Sequence, residues 1–197
     1  MRDFLRGEIA KTLVVLNAIQ ADEALQLQVE KLVSTIVAAL NTGNKVLLAG
    51  NGGSAADAQH IAGEFVSRFN YDRPGLAAFA LTVDSSVMTA IGNDYGYELV
   101  FKRQIQAVGQ KGDIFWAYST SGRSPNILQA MEEARERGLF VVGFTGARGG
   151  QPDSPMAQLA DICIAVPSTE TPKIQEGHLV LGHIVCGLVE AAIFPRT

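Results

Sequence analysis

The sequence predicts an α/β fold: a doubly wound, five-stranded parallel sheet flanked by helices and preceded by two N-terminal helices. Three observations predict it. Five short apolar runs lie between residues 45 and 167. None alternates apolar with polar residues, as a strand with one wet face would. Amphipathic segments of about ten to twenty residues separate the runs, the length that a crossover between parallel strands requires.

Residues 1–41 contain no proline and one glycine, Gly7. They place Leu5, Ile9, Leu13, Leu16 and Ile19, then Leu25, Val29, Leu32 and Ile36, at helical spacing, so two helices are expected with a break near Ala21–Asp22. The apolar runs KVLLAG (45–50), LAAFALT (76–82), DIFWAYS (113–119), LFVVGFTG (139–146) and DICIAVP (161–167) read as buried strands. AADAQHIAGEFVSRF, after the first run, and IQEGHLVLGHIVCGLVE, after the last, read as helices. No fixed-period repeat or low-complexity tract interrupts the pattern. At 197 residues the expectation is a single domain, with residues 1–41 as an N-terminal helical arm.

Composition excludes several classes of function. Hydrophobic residues make up 47% of the chain and charged residues 18%, so the signature of disorder is absent. Sixteen Lys plus Arg against twenty Asp plus Glu give a net charge of −4, with no run of five like charges, which argues against non-specific binding to nucleic acid. Two cysteines, Cys163 and Cys186, are too few and too far apart for a disulfide scaffold or a Cys-x-x-Cys motif. They read as buried thiols in a reducing compartment, hence the cytoplasm. The charged N-terminus MRDFLRGEIAKTL is not a signal peptide. The apolar stretch from Leu179 to Phe194 is broken by His183 and Glu190, so no membrane span is expected.

In sheets of this class ligands bind at the carboxyl ends of the strands. After the first strand comes Gly50-Asn51-Gly52-Gly53-Ser54, where glycines let backbone N–H groups approach an anion at a helix N-terminus. The segment also matches the dinucleotide fingerprint G-x-G-x-x-A, but the acidic residue expected about twenty positions on is missing. A tight strand-to-helix turn with no ligand is the blander alternative. After the third strand comes Ser119-Thr120-Ser121-Gly122-Arg123-Ser124-Pro125-Asn126. Four hydroxyls around a glycine at a helix start can surround a phosphate with neutral donors, more than capping requires. No P-loop lysine motif is present, which favours a phosphate monoester over a nucleoside triphosphate.

The chain has three histidines. His60 and Glu64 fall about 40° apart on one helical face, with Arg68 a turn further. Gln175 and His183 fall about 80° apart on the last helix and can also share a face, whereas His178 lies about 140° from His183 and reads as a surface or interface residue. Two helices can thus offer His60, Glu64, Gln175 and His183 to one point. Two imidazoles, a carboxylate and an amide suit zinc or another divalent first-row ion. The alternatives are a satisfied core histidine and an ordinary helical contact.

GNGGSAADAQHIAGEF, TAIGNDYGYE, YSTSGRSPN and TPKIQEGHLVLGHI together resemble the phosphoheptose isomerases of the sugar-isomerase (SIS) domain family, from about Lys45 to Phe194. The resemblance implies a homotetramer with one zinc per subunit. It implies conversion of sedoheptulose 7-phosphate to D-glycero-D-manno-heptose 7-phosphate, the first step toward the ADP-heptose of lipopolysaccharide cores. It places substrate contacts at Asn51, Gly52, Gly53, Ser54, Glu64, Asn93, Asp94, Ser119, Thr120, Ser121, Ser124 and Gln175. The metal ligands it implies are His60, Glu64, Gln175 and His183, with Glu64 and His183 as the catalytic pair. Pro172 stands where some members of the family carry an aspartate. A non-catalytic phosphosugar-binding protein of the same fold, such as a relative that binds the replication initiator DnaA, is the alternative. That alternative gives no role to His60, Glu64 and His183 together.

Overall fold

The computed structural model describes residues 1–196. Two helices open the chain, α1 (Arg2–Ala21) and α2 (Glu23–Asn41). β1 (Val46–Ala49) leads to α3 (Gly53–Val66), and β2 (Ala78–Ala80) leads to α4 (Ser85–Tyr95), a 3₁₀ turn at Tyr97–Leu99 and α5 (Val100–Val108). β3 (Ile114–Tyr118) leads to α6 (Pro125–Glu136), β4 (Phe140–Gly146) to α7 (Pro155–Leu159), and β5 (Ile162–Val166) to α8 (Thr171–Ile193). The break between the first two helices falls at Asp22, whose carboxylate accepts a hydrogen bond from Leu25 N at 3.0 Å. It thereby caps one of the N–H groups that a helix start leaves unpaired.

All five strands are parallel, in the order β2-β1-β3-β4-β5. Successive residues serve opposite faces of the sheet, as the strand period of two requires. Val46, Leu48, Trp116, Tyr118, Val142 and Phe144 join one core with α1, α2, α3 and α8. Leu47, Ala49, Phe115, Ala117 and Val141 join a second core with α5, α6 and α7. The central strands β1, β3 and β4 are therefore dry on both faces, which is why they read as continuous apolar runs; the edge strand β2, expected buried, leaves Phe79 exposed because no neighbouring strand or helix covers that position. Each strand is shorter than its run by one to four residues, because flanking residues such as Gly50 and Ser119 already turn into the loops.

Of the first 41 residues, α2 packs on α8 and β5. Its Leu32 and Ile36 are fully buried, each contributing about 2 kcal/mol of transfer free energy, so this helix belongs to the layer on the sheet. α1 buries Val15 and Ile19 and leaves Phe4, Leu5, Ile9, Leu13 and Val14 exposed. α8 is long and apolar enough to cross a membrane by length and composition. Here it lies between α2, α3 and the sheet.

Three local expectations are corrected. His178, expected at the surface or an interface, is fully buried. The turn that carries it away from the His183 face of α8 points it at the sheet, where its ring meets Tyr118 and Phe144. Cys163, expected buried, is partly exposed, since alternate positions of β5, at the end of the sheet, lack full cover; Cys186 is buried. Arg68 falls outside α3, which ends at Val66.

Candidate active site

The strand order places the site. β1 and β3 are neighbours, with Ala49 opposite Ala117, yet the helices that follow them, α3 and α6, pack on opposite faces of the sheet. The two loops diverge there and leave a crevice at the topological switch point, where ligands bind in open α/β sheets. The glycine loop lines one side of the crevice and the hydroxyl loop the other.

The glycine loop turns sharply. Gly52 has φ of +57°, a conformation that a side chain disfavours. A Cβ on Gly50 would strike the main-chain carbonyl of Ser54. Asn51 exchanges two amide hydrogen bonds with Asn126 at the start of α6: its Nδ2 donates to Asn126 Oδ1 at 2.9 Å, and Asn126 Nδ2 donates back at 2.8 Å. Tyr97 Oη adds a third contact to Asn51 Oδ1, at 3.2 Å. The two loops are thus tied across the switch point.

In the hydroxyl loop, Ser124 stands at the N-cap of α6 but its side chain makes no capping bond. Its Oγ lies 2.9 Å from Ser119 Oγ. Capping therefore does not account for these hydroxyls; Pro125 has no N–H and Ile127 N bonds Ser124 O at 3.1 Å, so in the first turn of α6 the Asn126 N–H is the donor left for an anion. Gly122 has φ of +67°, and its Cβ would come within 2.6 Å of Gly149 Cα, so the loop closes only with glycine at both places. Thr120 and Ser121 lie toward solvent, and Ser121 Oγ accepts from Arg123 N at 3.2 Å.

The side-chain cluster predicted on two helices assembles from α3 and α8. His60 Nε2 lies 2.7 Å from His183 Nε2 and 3.2 Å from Glu64 Oε1. One donor atom from each of the three falls within 4.8 Å of the others. Tetrahedral zinc with bonds of about 2.0–2.1 Å sets its ligand atoms about 3.3 Å apart, so the His60–Glu64 separation already suits an ion. The shorter His60–His183 separation is that of a hydrogen bond between the rings. The donor set fits a divalent first-row metal.

Gln175 stands near the start of α8, opposite the start of α3. Its Nε2 lies 3.4 Å from Ser54 Oγ, and a Cβ on Gly53 would come within 2.6 Å of the same amide. Ser54 precedes His60 by six residues, about 9 Å along the helix. The seam along which α3 packs on α8 therefore runs from the glycine loop and Gln175 to the His60–Glu64–His183 cluster. Asn93 and Asp94, at the end of α4, are exposed and bond one another at 2.8 Å. Among the described residues their chain approaches the loops through Tyr97.

Sequence reasoning missed Asn126, Tyr97, Asp57 and Phe69. Asn126 closed the hydroxyl-loop segment in the sequence with no role of its own. Asp57 precedes His60 by three residues on the same helix, so its spacing was a usable signal. Burial raises the Asp57 carboxyl to about 6, against the opposing pull of His60, and its Oδ2 has no hydrogen-bond partner among the described residues. Phe69 stacks on His183 with ring centroids 5.5 Å apart. It lies beyond the end of α3, where no helical spacing could announce it.

Comparison with known proteins places this site in context. The SIS domain family model matches residues 9–146. A phosphoheptose isomerase of Burkholderia pseudomallei is 61% identical over 193 residues, covering 98% of this chain and 96% of its own. One from Aneurinibacillus thermoaerophilus is 57% identical over 194 residues, again 98% of this chain and 96% of its own. The solved phosphoheptose isomerase of Neisseria gonorrhoeae superposes with a TM-score of 0.88 at 35% identity, covering 96% of this chain and 98% of that one.

Proposed function

The chain belongs to the phosphoheptose isomerases of the SIS domain family, and we propose that it interconverts sedoheptulose 7-phosphate and D-glycero-D-manno-heptose 7-phosphate. The observation that carries the assignment is a hydroxyl loop tied to the glycine loop through Asn51 and Asn126, with a carboxylate–imidazole cluster further along the helix that the glycine loop opens. A phosphate monoester seated on the Ser119, Thr120, Ser121 and Ser124 hydroxyls and the Asn126 N–H anchors the substrate by a group remote from the reaction. Its binding energy then orients the sugar. Asn51, Gly52, Gly53, Ser54, Asn93, Asp94 and Gln175 are assigned to the sugar hydroxyls and the phosphate.

Ketose and aldose interconvert by moving a proton between C1 and C2 through an enediol. That requires a base on carbon and an acid on the carbonyl oxygen. Glu64 takes the C1 proton and returns one to C2, while His183 exchanges protons with O1 and O2. His60, Glu64 and His183 would hold one zinc ion per subunit, which when bound supplies a Lewis acid for the carbonyl oxygen; Gln175, expected as a fourth ligand, stands instead beside Gly53 and Ser54, where it serves the substrate. Phe69, against the His183 ring, restricts water at that end of the seam.

Further parts of the assignment rest on coarser support. The exposed apolar residues of α1 and of α8, where Val180, Ile184 and Leu188 face outward, support assembly of subunits, which we assign as a homotetramer. Two free thiols support a cytoplasmic location. The product is assigned to the heptose supply for lipopolysaccharide cores. A purely phosphosugar-binding role is disfavoured by the assembled His60–Glu64–His183 cluster, which binding alone does not need.

The test is to incubate the protein with sedoheptulose 7-phosphate in heavy water and follow C1 and C2 by NMR, with and without a chelator. An aldose carrying deuterium at C2 is expected, and its formation should slow when metal is removed. Neither conversion nor exchange, from folded protein loaded with zinc, would refute the assignment.

A further inference from the structure

Two residues outside the cluster form a buried ion pair that reaches both ends of the proposed proton-transfer pair. Arg73 Nε lies 3.1 Å from Glu190 Oε1, and the two side chains are 2% and 0% exposed. Arg73 follows α3 in sequence and folds back beneath its end. Its Nη2 donates to the main-chain oxygen of Glu64 at 2.8 Å and its Nη1 to that of Phe65 at 2.6 Å. These are carbonyls that a helix C-terminus leaves unpaired. A third bond, from Nη1 to Pro74 O at 3.0 Å, fixes the guanidinium in its own loop.

Glu190 acts on the other partner. It sits seven residues after His183, two helical turns on, so both project from one face of α8 toward α3. Its two carboxylate oxygens accept from Phe69 N at 2.8 Å and Asn70 N at 2.7 Å. Those bonds hold the loop after α3 against α8, and Phe69 in that loop is the ring stacked on His183. Gly187 lies where the loop crosses the helix, and a Cβ there would stand 3.3 Å from the Phe69 ring. The packing is therefore close, and little slack remains for Phe69 to wander.

Resting on the isomerase assignment above, we propose that Arg73 and Glu190 are positioning residues for catalysis: the pair fixes the helix end that bears Glu64 and, through Phe69, the ring plane of His183. Neither residue touches substrate. A buried pair of this kind is weak evidence for stability, because replacing it by apolar residues is often neutral. What this pair does specifically is orient two groups carried on different helices. Displacing a reacting group by about 1 Å costs about a hundredfold in rate. The phosphate cradle, built on β3 and α6, shares no contact with Arg73 or Glu190.

The experiment compares Arg73→Lys, Phe69→Leu and Phe69→Trp with the unaltered zinc-loaded enzyme. Lysine keeps the charge opposite Glu190 but lacks the fork that serves both carbonyls. Leucine keeps the loop apolar but removes the stacked ring, and tryptophan restores a ring. The expected result is a kcat about tenfold to a hundredfold lower for Arg73→Lys and Phe69→Leu, with KM within about twofold, and recovery of kcat by Phe69→Trp. The ring protons of His183, one of three histidines, report the geometry without turnover. Their NMR resonances should lose the ring-current shift of the stacked Phe69 in Arg73→Lys as they do in Phe69→Leu, and regain a ring-current shift of the same sign in Phe69→Trp.

Wild-type kcat in both Arg73→Lys and Phe69→Leu would overturn the proposal, as would parallel changes in kcat and KM with His183 resonances unmoved. Should Arg73→Lys fail to fold, Phe69→Leu, at a half-buried loop position, decides alone. An unaltered enzyme inactive on sedoheptulose 7-phosphate would refute the isomerase assignment, and the His183 resonances would still decide whether the pair sets the ring.

Discussion

His178 should make the fold lose stability as the medium turns mildly acidic. The ring is fully buried, its Nε2 lies 3.1 Å from Thr145 O, and its Nδ1 has no partner among the described residues. Burial lowers its pKa from the ordinary 6.5 to about 4, against the small opposing pull of the Thr145 carbonyl. The neutral ring is therefore the native form. Above pH 6.5 the unfolded chain is also neutral and the full stabilisation is present. Below it the unfolded chain binds a proton that the native state refuses until about pH 4. Stability then falls by about 1.4 kcal/mol per pH unit, or about 2 kcal/mol between pH 6.5 and 5.0.

Asp57 opposes this trend. Its carboxyl is raised by burial to about 6, so its contribution is complete below the ordinary 3.8 and disappears as pH rises through 6. It is half-exposed, and solvent screening reduces its effect between pH 6 and 5 to about half a kcal/mol. Asp57→Asn removes that compensation. Glu190 and Asp113 are held below the usual carboxylate range despite burial, by N–H donors with Arg73 and by Lys45 with N–H donors respectively. Their contributions are lost only at lower pH. Urea unfolding at fixed protomer concentration from pH 7.0 to 5.0 should show the 2 kcal/mol loss in Asp57→Asn and not in Asp57→Asn/His178→Gln. Equal pH slopes in the two, or a His178 NMR titration centred near 6.5, would refute the reasoning.

Glu64→Gln should lower kcat by about 10²–10⁴-fold while KM changes little, because the amide keeps shape and loses basicity; steady-state kinetics with unimpaired turnover would remove Glu64 from the mechanism. Ser119→Ala should raise KM for the phosphosugar about tenfold and leave thermal stability within about 1 kcal/mol, since one hydrogen bond to a charged phosphate is lost. Gly53→Ala should fold normally yet bind substrate less well, because the atoms nearest its Cβ belong to the movable Gln175 amide. Gly50→Ala should instead lower the melting temperature, because its Cβ meets the fixed carbonyl of Ser54.

The architecture was legible because the central strands are dry on both faces. Continuous apolar runs such as DIFWAYS are what a strand covered on two sides requires, and no competing pattern in this chain produces them. The cluster was legible for a different reason: His60 and Glu64 lie four apart on one helix, and helical geometry forces them together. His183 became their partner only through the packing of α3 on α8, which spacing along one helix does not determine. The same limit explains the error at His178. A helical wheel gives the angle from His183 but not which side of α8 meets the sheet. Asn126 escaped because its partner, Asn51, lies on a different crossover, and Phe69 because loop residues carry no period.

The two ends of the site differ in how the fold holds them. The phosphate end is built from loop backbone at the switch point, where closing the turns demands Gly52 and Gly122 with positive φ, and the Asn51–Asn126 bonds tie one loop to the other. Its precision comes from the sheet, because Ala49 and Ala117 stand side by side in the strands that launch both loops. The proton-transfer end lies beyond the sheet, on two helices that touch only through side chains. Nothing in the strand register fixes the distance from Glu64 to His183. That distance must be set by contacts between α3, its following loop and α8, and the densest polar set there is the one centred on Arg73 and Glu190. If sheet and ion pair act separately, Ser119→Ala and Arg73→Lys should combine additively, the first in KM and the second in kcat. A double variant whose loss in kcat/KM departs from the product of the single losses by more than about threefold would show that the two ends are coupled.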